Sequence, residues 1–302
     1  MSLLSVRGLS VRIGASSDAV RDVDLDLSPG ESLALVGESG SGKTVTASAI
    51  AGLLPPGLVP SGSATLDGVE LIGAVPERRR ELAGRQIGFI FQEPASALHP
   101  ILTVGQQIAE ALDAHFDYSR TAKRARTAEL LELVGLAPEV ATLRIGQLSG
   151  GMRQRVMIAM AISCGPSLLI ADEPTTALDV TLQKQVMELI ASLQHRLGLA
   201  LLLITHDLAV VSEVCERVAV MYAGQLVETG PTQVVLSGPG HEYTKALLAA
   251  IPRLGDTRRR LPTVAEAAPN LRDERAVSPE ERTATEMREI ATGHRVRCEL
   301  TT

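Results

Sequence analysis

Short alternations of apolar and polar residues open the chain: Leu4-Ser5-Val6-Arg7, Val11-Arg12-Ile13 and Val23-Asp24-Leu25-Asp26-Leu27. A period of two predicts β-strands with turns between them across residues 3–36. The apolar run Ser32–Val36 is followed by a glycine-rich stretch, then by Val45–Ala51, which continues as a helix until Leu53-Leu54-Pro55-Pro56-Gly57 breaks it. A further strand set is predicted through Ser63–Leu66, with Asp67-Gly68 as a hairpin turn. Ile87–Phe91 reads as a buried strand. From about 103 to 163 the pattern is helical, as in Ala128–Val134 and Met152–Ile162.

Leu168–Ala171 and Ala200–Ile204 are short, fully apolar runs, and Thr181–Leu197 between them has an amphipathic helical period. Strands alternating with helices predict an α/β fold, with a parallel sheet covered on both faces. Beyond about Pro252 the apolar period weakens. Arg258-Arg259-Arg260 and Arg272-Asp273-Glu274-Arg275 are charge clusters, so a partly ordered appendage is expected there.

Composition narrows the function. The 302 residues suffice for one large α/β domain with an appendage, or for two medium domains, and 45% hydrophobic content supports a full core. Aromatics are 2% with no Trp, so aliphatic side chains must fill that core, and stacking platforms for single-stranded nucleic acid are lacking. A net charge of −6 and a pI near 5.6 argue against a nucleic-acid partner. Cys164, Cys215 and Cys298 are odd in number and far apart, which implies no disulfide framework. Met1–Arg7 lacks the basic start and apolar stretch of a secretory leader, and the longest apolar runs are far too short to cross a bilayer. A soluble, intracellular chain is expected.

Residues 37–44 read Gly37-Glu38-Ser39-Gly40-Ser41-Gly42-Lys43-Thr44, a complete G-x-x-x-x-G-K-[ST] phosphate loop between a strand and a helix. Its glycines let the backbone wrap a polyphosphate, so that N–H groups and a helix N-terminus point at negative charge. Lys43 is placed to reach the β and γ phosphates, and the Thr44 hydroxyl to hold Mg²⁺. Leu168-Leu169-Ile170-Ala171-Asp172-Glu173 is an apolar strand ending in two carboxylates. Asp172 is placed to hold Mg²⁺ through water, and Glu173 to polarise a water for attack on the γ-phosphate. Leu148-Ser149-Gly150-Gly151-Met152-Arg153-Gln154-Arg155 is either an ordinary capped turn or a second anion site at a helix N-terminus.

The phosphate loop, the L-S-G-G-x-x-Q-R octet and the Asp-Glu strand, in this order, closely resemble the ATP-binding cassette (ABC) ATPases over roughly residues 3–250. The resemblance implies a phosphate-loop NTPase (RecA-like) core, with an antiparallel β subdomain and an α-helical signature subdomain inserted at about 93–163. Domains are thus expected at 1–250 and 251–302. It further implies that Ser149, Gly150, Gly151 and Gln154 close over the γ-phosphate bound by an opposite subunit. Gln92 matches the glutamine that contacts Mg²⁺ and the attacking water and senses the transmembrane partner. Thr176-Ala177-Leu178-Asp179 matches the loop that communicates across the dimer, and His206 the switch histidine at the γ-phosphate. Where such ATPases commonly stack adenine on an aromatic, this chain has Ile13, which offers apolar contact without a π face.

The stretches Val36–Lys43, Phe91–Pro100 and Ala171–Thr181 are similar to the oligopeptide, dipeptide and nickel importer ATPases. So are His241-Glu242-Tyr243-Thr244 with Ala250–Leu254, and Gly293–Cys298, which resemble the start and close of that subfamily's C-terminal extension. Some members carry a cysteine cluster there. Here one thiolate, Cys298, cannot assemble a four-cysteine site, so no iron–sulfur cluster is expected. The implied assembly is a second homologous ATPase, identical or not, two transmembrane permease subunits and an extracytoplasmic solute-binding protein. It would sit at the cytoplasmic face of a bacterial membrane and use ATP and Mg²⁺. An exporter ATPase, or a soluble cassette protein of translation or DNA repair, is the alternative.

Overall fold

A computed structural model describes residues 2–14, 17–176, 178–250, 263–268 and 285–299. In chain order the first elements are β1 (Leu4–Ile13), β2 (Ser17–Leu27), β3 (Ser32–Val36), α1 (Lys43–Ala51), β4 (Leu58–Leu66), β5 (Val69–Glu70), α2 (Pro76–Leu82) and β6 (Ile87–Ile90). Then come α3 (Pro94–Ala97), α4 (Val104–Asp113), α5 (Arg120–Leu133), α6 (Gly150–Ala161), β7 (Leu168–Asp172), α7 (Val180–Leu197) and β8 (Ala200–Thr205). The last are α8 (Leu208–Val214), β9 (Arg217–Tyr222), β10 (Gln225–Pro231), α9 (Thr232–Ser237), α10 (Glu242–Ala249), α11 (Val264–Ala267), β11 (Thr285–Ala291) and β12 (His294–Glu299). The mixed α/β class is the one that the alternating strand and helix periods predict. The charge clusters at 258–260 and 272–275, the Ile251–Leu254 stretch and Ala177 lie outside the described residues.

The chain divides into two compact units. One, made of residues 4–26, 33–72 and 205–302, carries the phosphate loop. In it, β1 and β4 pair antiparallel from Leu4↔Leu66 to Ile13↔Leu58, with β2 and β5 on either side. Asp67 and Gly68 form the tight connection to β5, both at positive φ (48° and 76°), as their sequence predicts for a two-residue hairpin loop. The same unit holds the strand order β11-β12-β10-β9-β3, with β3 and β9 parallel and the remaining pairs antiparallel. The closing β11–β12 hairpin has no clear signature in the sequence. Five of the seven β11 residues are exposed and none is buried, so no apolar period marks the strand.

The other unit, made of residues 1–3, 27–32 and 73–204, carries the paired carboxylates. Its β6, β7 and β8 are parallel neighbours. Leu168–Ala171 and Ala200–Ile204 are wholly inaccessible to solvent, which is why these strands read as unbroken apolar runs. The first of the three strands ends one residue earlier than its sequence suggests: Phe91 leaves the ladder and stands 42% exposed. On α7, Val186, Met187, Ile190 and Leu193 form the buried stripe, and left-handed Gly198 ends the helix. Side-chain caps start four helices of this unit: Thr103 with Gln106 as a reciprocal box on α4, Ser119 on α5, Ser149 on α6 and Asp179 on α7.

Candidate active site

The buried strand β3 delivers the chain into Gly37, and two glycines of the loop have no substitute. Gly37 lies at φ 153°, where a Cβ would come within 2.2 Å of the Met221 carbonyl oxygen. Gly42 lies at φ 107°, where a Cβ would meet Met221 Cε at 2.8 Å and the Ala19 carbonyl at 2.9 Å. Only glycine fits either position. Lys43, 4% exposed, turns back over the loop, its Nζ donating to the Gly37 and Glu38 carbonyls at 2.8 and 2.9 Å. Thr44, next on α1, is exposed, as are Glu38, Ser39 and Gly40.

The Ser41 hydroxyl is buried in this cradle with no hydrogen-bond partner among the described residues. A closed loop that keeps a cation, an unsatisfied hydroxyl and the amides of a helix start together has the donor set that a polyphosphate requires. At the end of β1, Ile13 is 49% exposed. His206, which follows Thr205 at the end of β8, is exposed, and Asp207 caps α8 behind it.

In the second unit β7 ends in Asp172, 4% exposed. Glu173 follows at φ 44°, a left-handed conformation that a non-glycine residue adopts at a cost of about 1–3 kcal/mol. Its amide nonetheless donates to the Ile204 carbonyl at 2.9 Å, which pins the turn against β8. The Glu173 Oε2 accepts two hydrogen bonds, from Gln92 Nε2 at 3.2 Å and from Thr176 Oγ1 at 3.0 Å. Sequence spacing alone does not pair Gln92 with Glu173, 81 positions apart. Nor does it make Thr176 a partner of this carboxylate. Carboxylate, hydroxyl and water oxygens are the ligands that Mg²⁺ takes, so the chemistry of Asp172 and Thr44 fits that ion.

Ser149 caps α6, its Oγ accepting from the Met152 amide at 3.3 Å. Ser149 and Gly150 are exposed, whereas Gly151 is buried, and a Cβ on it would press to 3.2 Å against Leu182. Gln154 does not share that exposed edge: it is 1% exposed, and its Nε2 has no partner among the described residues. Asp179 caps α7 through a 3.0 Å bond from the Leu182 amide, and Val180 beside it is 80% exposed. A Cβ on Gly150 would touch Leu178 at 3.7 Å, so the Ser-Gly-Gly turn and the Asp179 loop are neighbours in this unit.

One residue at the phosphate loop escapes sequence reasoning. The Glu38 amide donates to the Tyr243 hydroxyl at 2.9 Å, across 205 positions of chain. The His241–Thr244 stretch stands out in the sequence, but nothing local says what it touches.

The family model described as ABC transporter matches residues 20–176, more than half of the chain. The chain belongs to this family. A second model, the oligopeptide/dipeptide transporter C-terminal region, matches residues 227–276 of this ABC protein. A dipeptide transport ATP-binding protein of Haemophilus influenzae is 46% identical over 279 residues, covering 90% of this chain and 84% of the relative. An oligopeptide transport ATP-binding protein of Bacillus subtilis is 48% identical over 262 residues, covering 83% and 72%. Among solved structures, cbiO1 of Clostridium perfringens, part of an ABC transporter complex, superposes with a TM-score of 0.70 at 26% identity, covering 78% of this chain and 91% of that one. The ATP-binding cassette MJ0796, in a dimeric post-hydrolysis state bound to ADP and Pi, gives 0.67 at 27% identity, covering 76% and 98%. ATP binding and hydrolysis are the activities of this ABC ATPase. Among the described residues no helix is long and apolar enough to cross a membrane.

Proposed function

We propose that this chain is the ATP-hydrolysing subunit of a peptide importer, which couples ATP-driven closure of an ATPase pair to uptake through separate permease subunits. The observation that carries the reading is the 46% identity to a dipeptide transport ATP-binding protein over 90% of the chain. The match of the C-terminal region to that of oligopeptide/dipeptide transporters agrees with it and disfavours an exporter or a soluble cassette machine.

In this reading residues 1–250 are the nucleotide-binding domain, with a helical insertion at 93–163, and 251–302 a subfamily extension. Backbone amides of Gly37–Thr44 wrap the phosphates, and Lys43 exchanges its two loop carbonyls for phosphate oxygens. Thr44 and Asp172, with Gln92, would hold Mg²⁺, which when bound neutralises phosphate charge. Glu173 accepts a proton from the attacking water, its carboxylate oriented by Gln92 and Thr176. His206 contacts the γ-phosphate, and Ile13 gives the base an apolar surface. A second homologous ATPase, facing Ser149-Gly150-Gly151 and Asp179, completes each of two sites. Two permeases and an extracytoplasmic binding protein make up the rest, with this subunit at the cytoplasmic face of the membrane.

The test is uptake of a labelled dipeptide by a strain deleted for this chain. The wild-type chain should restore uptake and the Glu173→Gln variant should not. Restoration by Glu173→Gln, or no defect in the deletion strain, would refute the reading.

A further inference from the structure

A continuous set of contacts joins the last strand of the chain to the phosphate loop within one compact unit. On β12, His294 is 2% exposed and its Nε2 lies 2.7 Å from Oε1 of Glu228 on β10, a carboxylate wholly shut off from solvent. The same Glu228 takes the Gly240 amide on Oε1 at 2.7 Å and the His241 amide on Oε2 at 3.0 Å. A buried carboxylate with three donors fixes whatever carries them. Here that is the segment leading into α10.

Packing reinforces the tie. A Cβ on Gly240 would meet Val296 Cγ2 at 2.6 Å and Ile290 Cδ1 at 2.9 Å, so the hairpin lies directly against this segment. His241 then caps α10, its Nδ1 accepting from the Tyr243 amide at 3.1 Å. Tyr243 is fully buried, its ring 4.4 Å from that of Tyr222, and its hydroxyl accepts from the Glu38 amide. The carbonyl of Glu38 accepts in turn from Lys43. Residue 38 is therefore held from both sides, by Tyr243 on its N–H and by the loop lysine on its C=O.

We infer that Tyr243 is a positioning residue that sets the ATP affinity of the phosphate loop, and that the His294–Glu228 pair of the C-terminal hairpin holds it in place. The inference rests on reading Gly37–Thr44 as the ATP phosphate loop. Tyr243 touches no phosphate. When phosphate oxygens draw Lys43 off the Glu38 carbonyl, the Tyr243 hydroxyl remains as the anchor of that peptide and keeps the loop in its binding shape. Loss of preorganisation costs affinity rather than chemistry.

The experiment compares the wild-type full chain with Tyr243→Phe, which keeps the ring against Tyr222 and deletes only the acceptor. MgATP affinity is read by titration calorimetry, amide exchange in Gly37–Gly42 by mass spectrometry, and steady-state ATPase as KM and kcat. Tyr243→Phe should bind MgATP about three- to ten-fold more weakly and exchange faster across Gly37–Gly42, with KM raised and kcat held. His294→Leu should weaken binding in the same direction and add little in the Tyr243→Phe background. Tyr243→Phe with wild-type affinity and exchange, even with a lowered melting temperature, would overturn the inference. Full additivity of the two substitutions would overturn the part played by the hairpin. A wild-type chain that fails to bind MgATP would instead overturn the phosphate-loop reading itself.

Discussion

Gln92 Nε2 and Glu173 Oε2 lie 3.2 Å apart, joining the end of β6 to the end of β7 in one hydrogen bond. The amide donates and the carboxylate accepts, which orients the oxygen that is to take a proton from water. Glu173→Gln keeps the shape of the turn and removes the base. Turnover should fall by about 10²- to 10⁴-fold while MgATP affinity changes little. Single-turnover ATP hydrolysis by the assembled ATPase measures this, and a near-normal rate would remove Glu173 from the role.

Thr176 supplies the second hydrogen bond to that oxygen, at 3.0 Å. Thr176→Val preserves the branched shape and deletes the hydroxyl. The carboxylate then loses this orienting donor, so kcat should drop by roughly ten- to a hundred-fold with KM unchanged, on the scale of one hydrogen bond to a charged group. An unchanged kcat would show that Gln92 and the backbone orient Glu173 without Thr176.

Removing the Lys43 ammonium deletes the cation of the phosphate loop and frees two carbonyls that now accept from it. Lys43→Ala should weaken MgATP binding by at least about 10-fold, the scale of charge-assisted hydrogen bonds. Titration calorimetry at low salt checks it, and affinity within twofold of wild type would contradict it.

Gly37→Ala acts by collision. A methyl group at 2.2 Å from the Met221 carbonyl forces β9 or the loop to shift. The variant should lose MgATP binding together with about 2 kcal/mol or more of stability, measured by urea unfolding. Gly40→Ala has no neighbour within 4 Å of its Cβ but sits at φ 78°, so it should cost less, chiefly through backbone strain.

Burial raises the Tyr243 hydroxyl from its ordinary 10 to about 12, since burial disfavours the phenolate. A folded-state value above the unfolded one means stability that is complete below pH 10 and lost as pH climbs from 10 through 12. Cys215, likewise pushed up to about 12 by burial, draws on an overlapping window from pH 9 upward. Alkaline unfolding followed by circular dichroism should therefore be less steep in Tyr243→Phe than in the wild type. Identical profiles would mean that Tyr243 ionises without cost in the folded chain.

What the sequence discloses here depends on how local the cause is. Phosphate-loop glycines, the fully apolar β7 and β8, the Asp67-Gly68 turn and the caps on α6 and α7 each follow from a few adjacent residues. The Gln92–Glu173 bond spans 81 positions and the Glu38–Tyr243 bond 205, and no period or local motif encodes either. Gln154 shows how helical spacing sorts one short motif: it lies three positions past buried Gly151, on the same inward face of α6, while Ser149 and Gly150 stay exposed. No apolar period marks the C-terminal hairpin, because β11 is mostly exposed and, among the described residues, pairs with β12 alone.

That hairpin also decides where the sheet stops. Among the described residues β12 pairs with β10 at Glu228 and Thr229, and the outermost position passes to β11, studded with Glu286, Arg288 and Glu289. Charged outer strands resist sticking to other chains. A version cut short before Thr285 would uncover β10 and strand Glu228 without His294, turning a guarded margin into a template for aggregation.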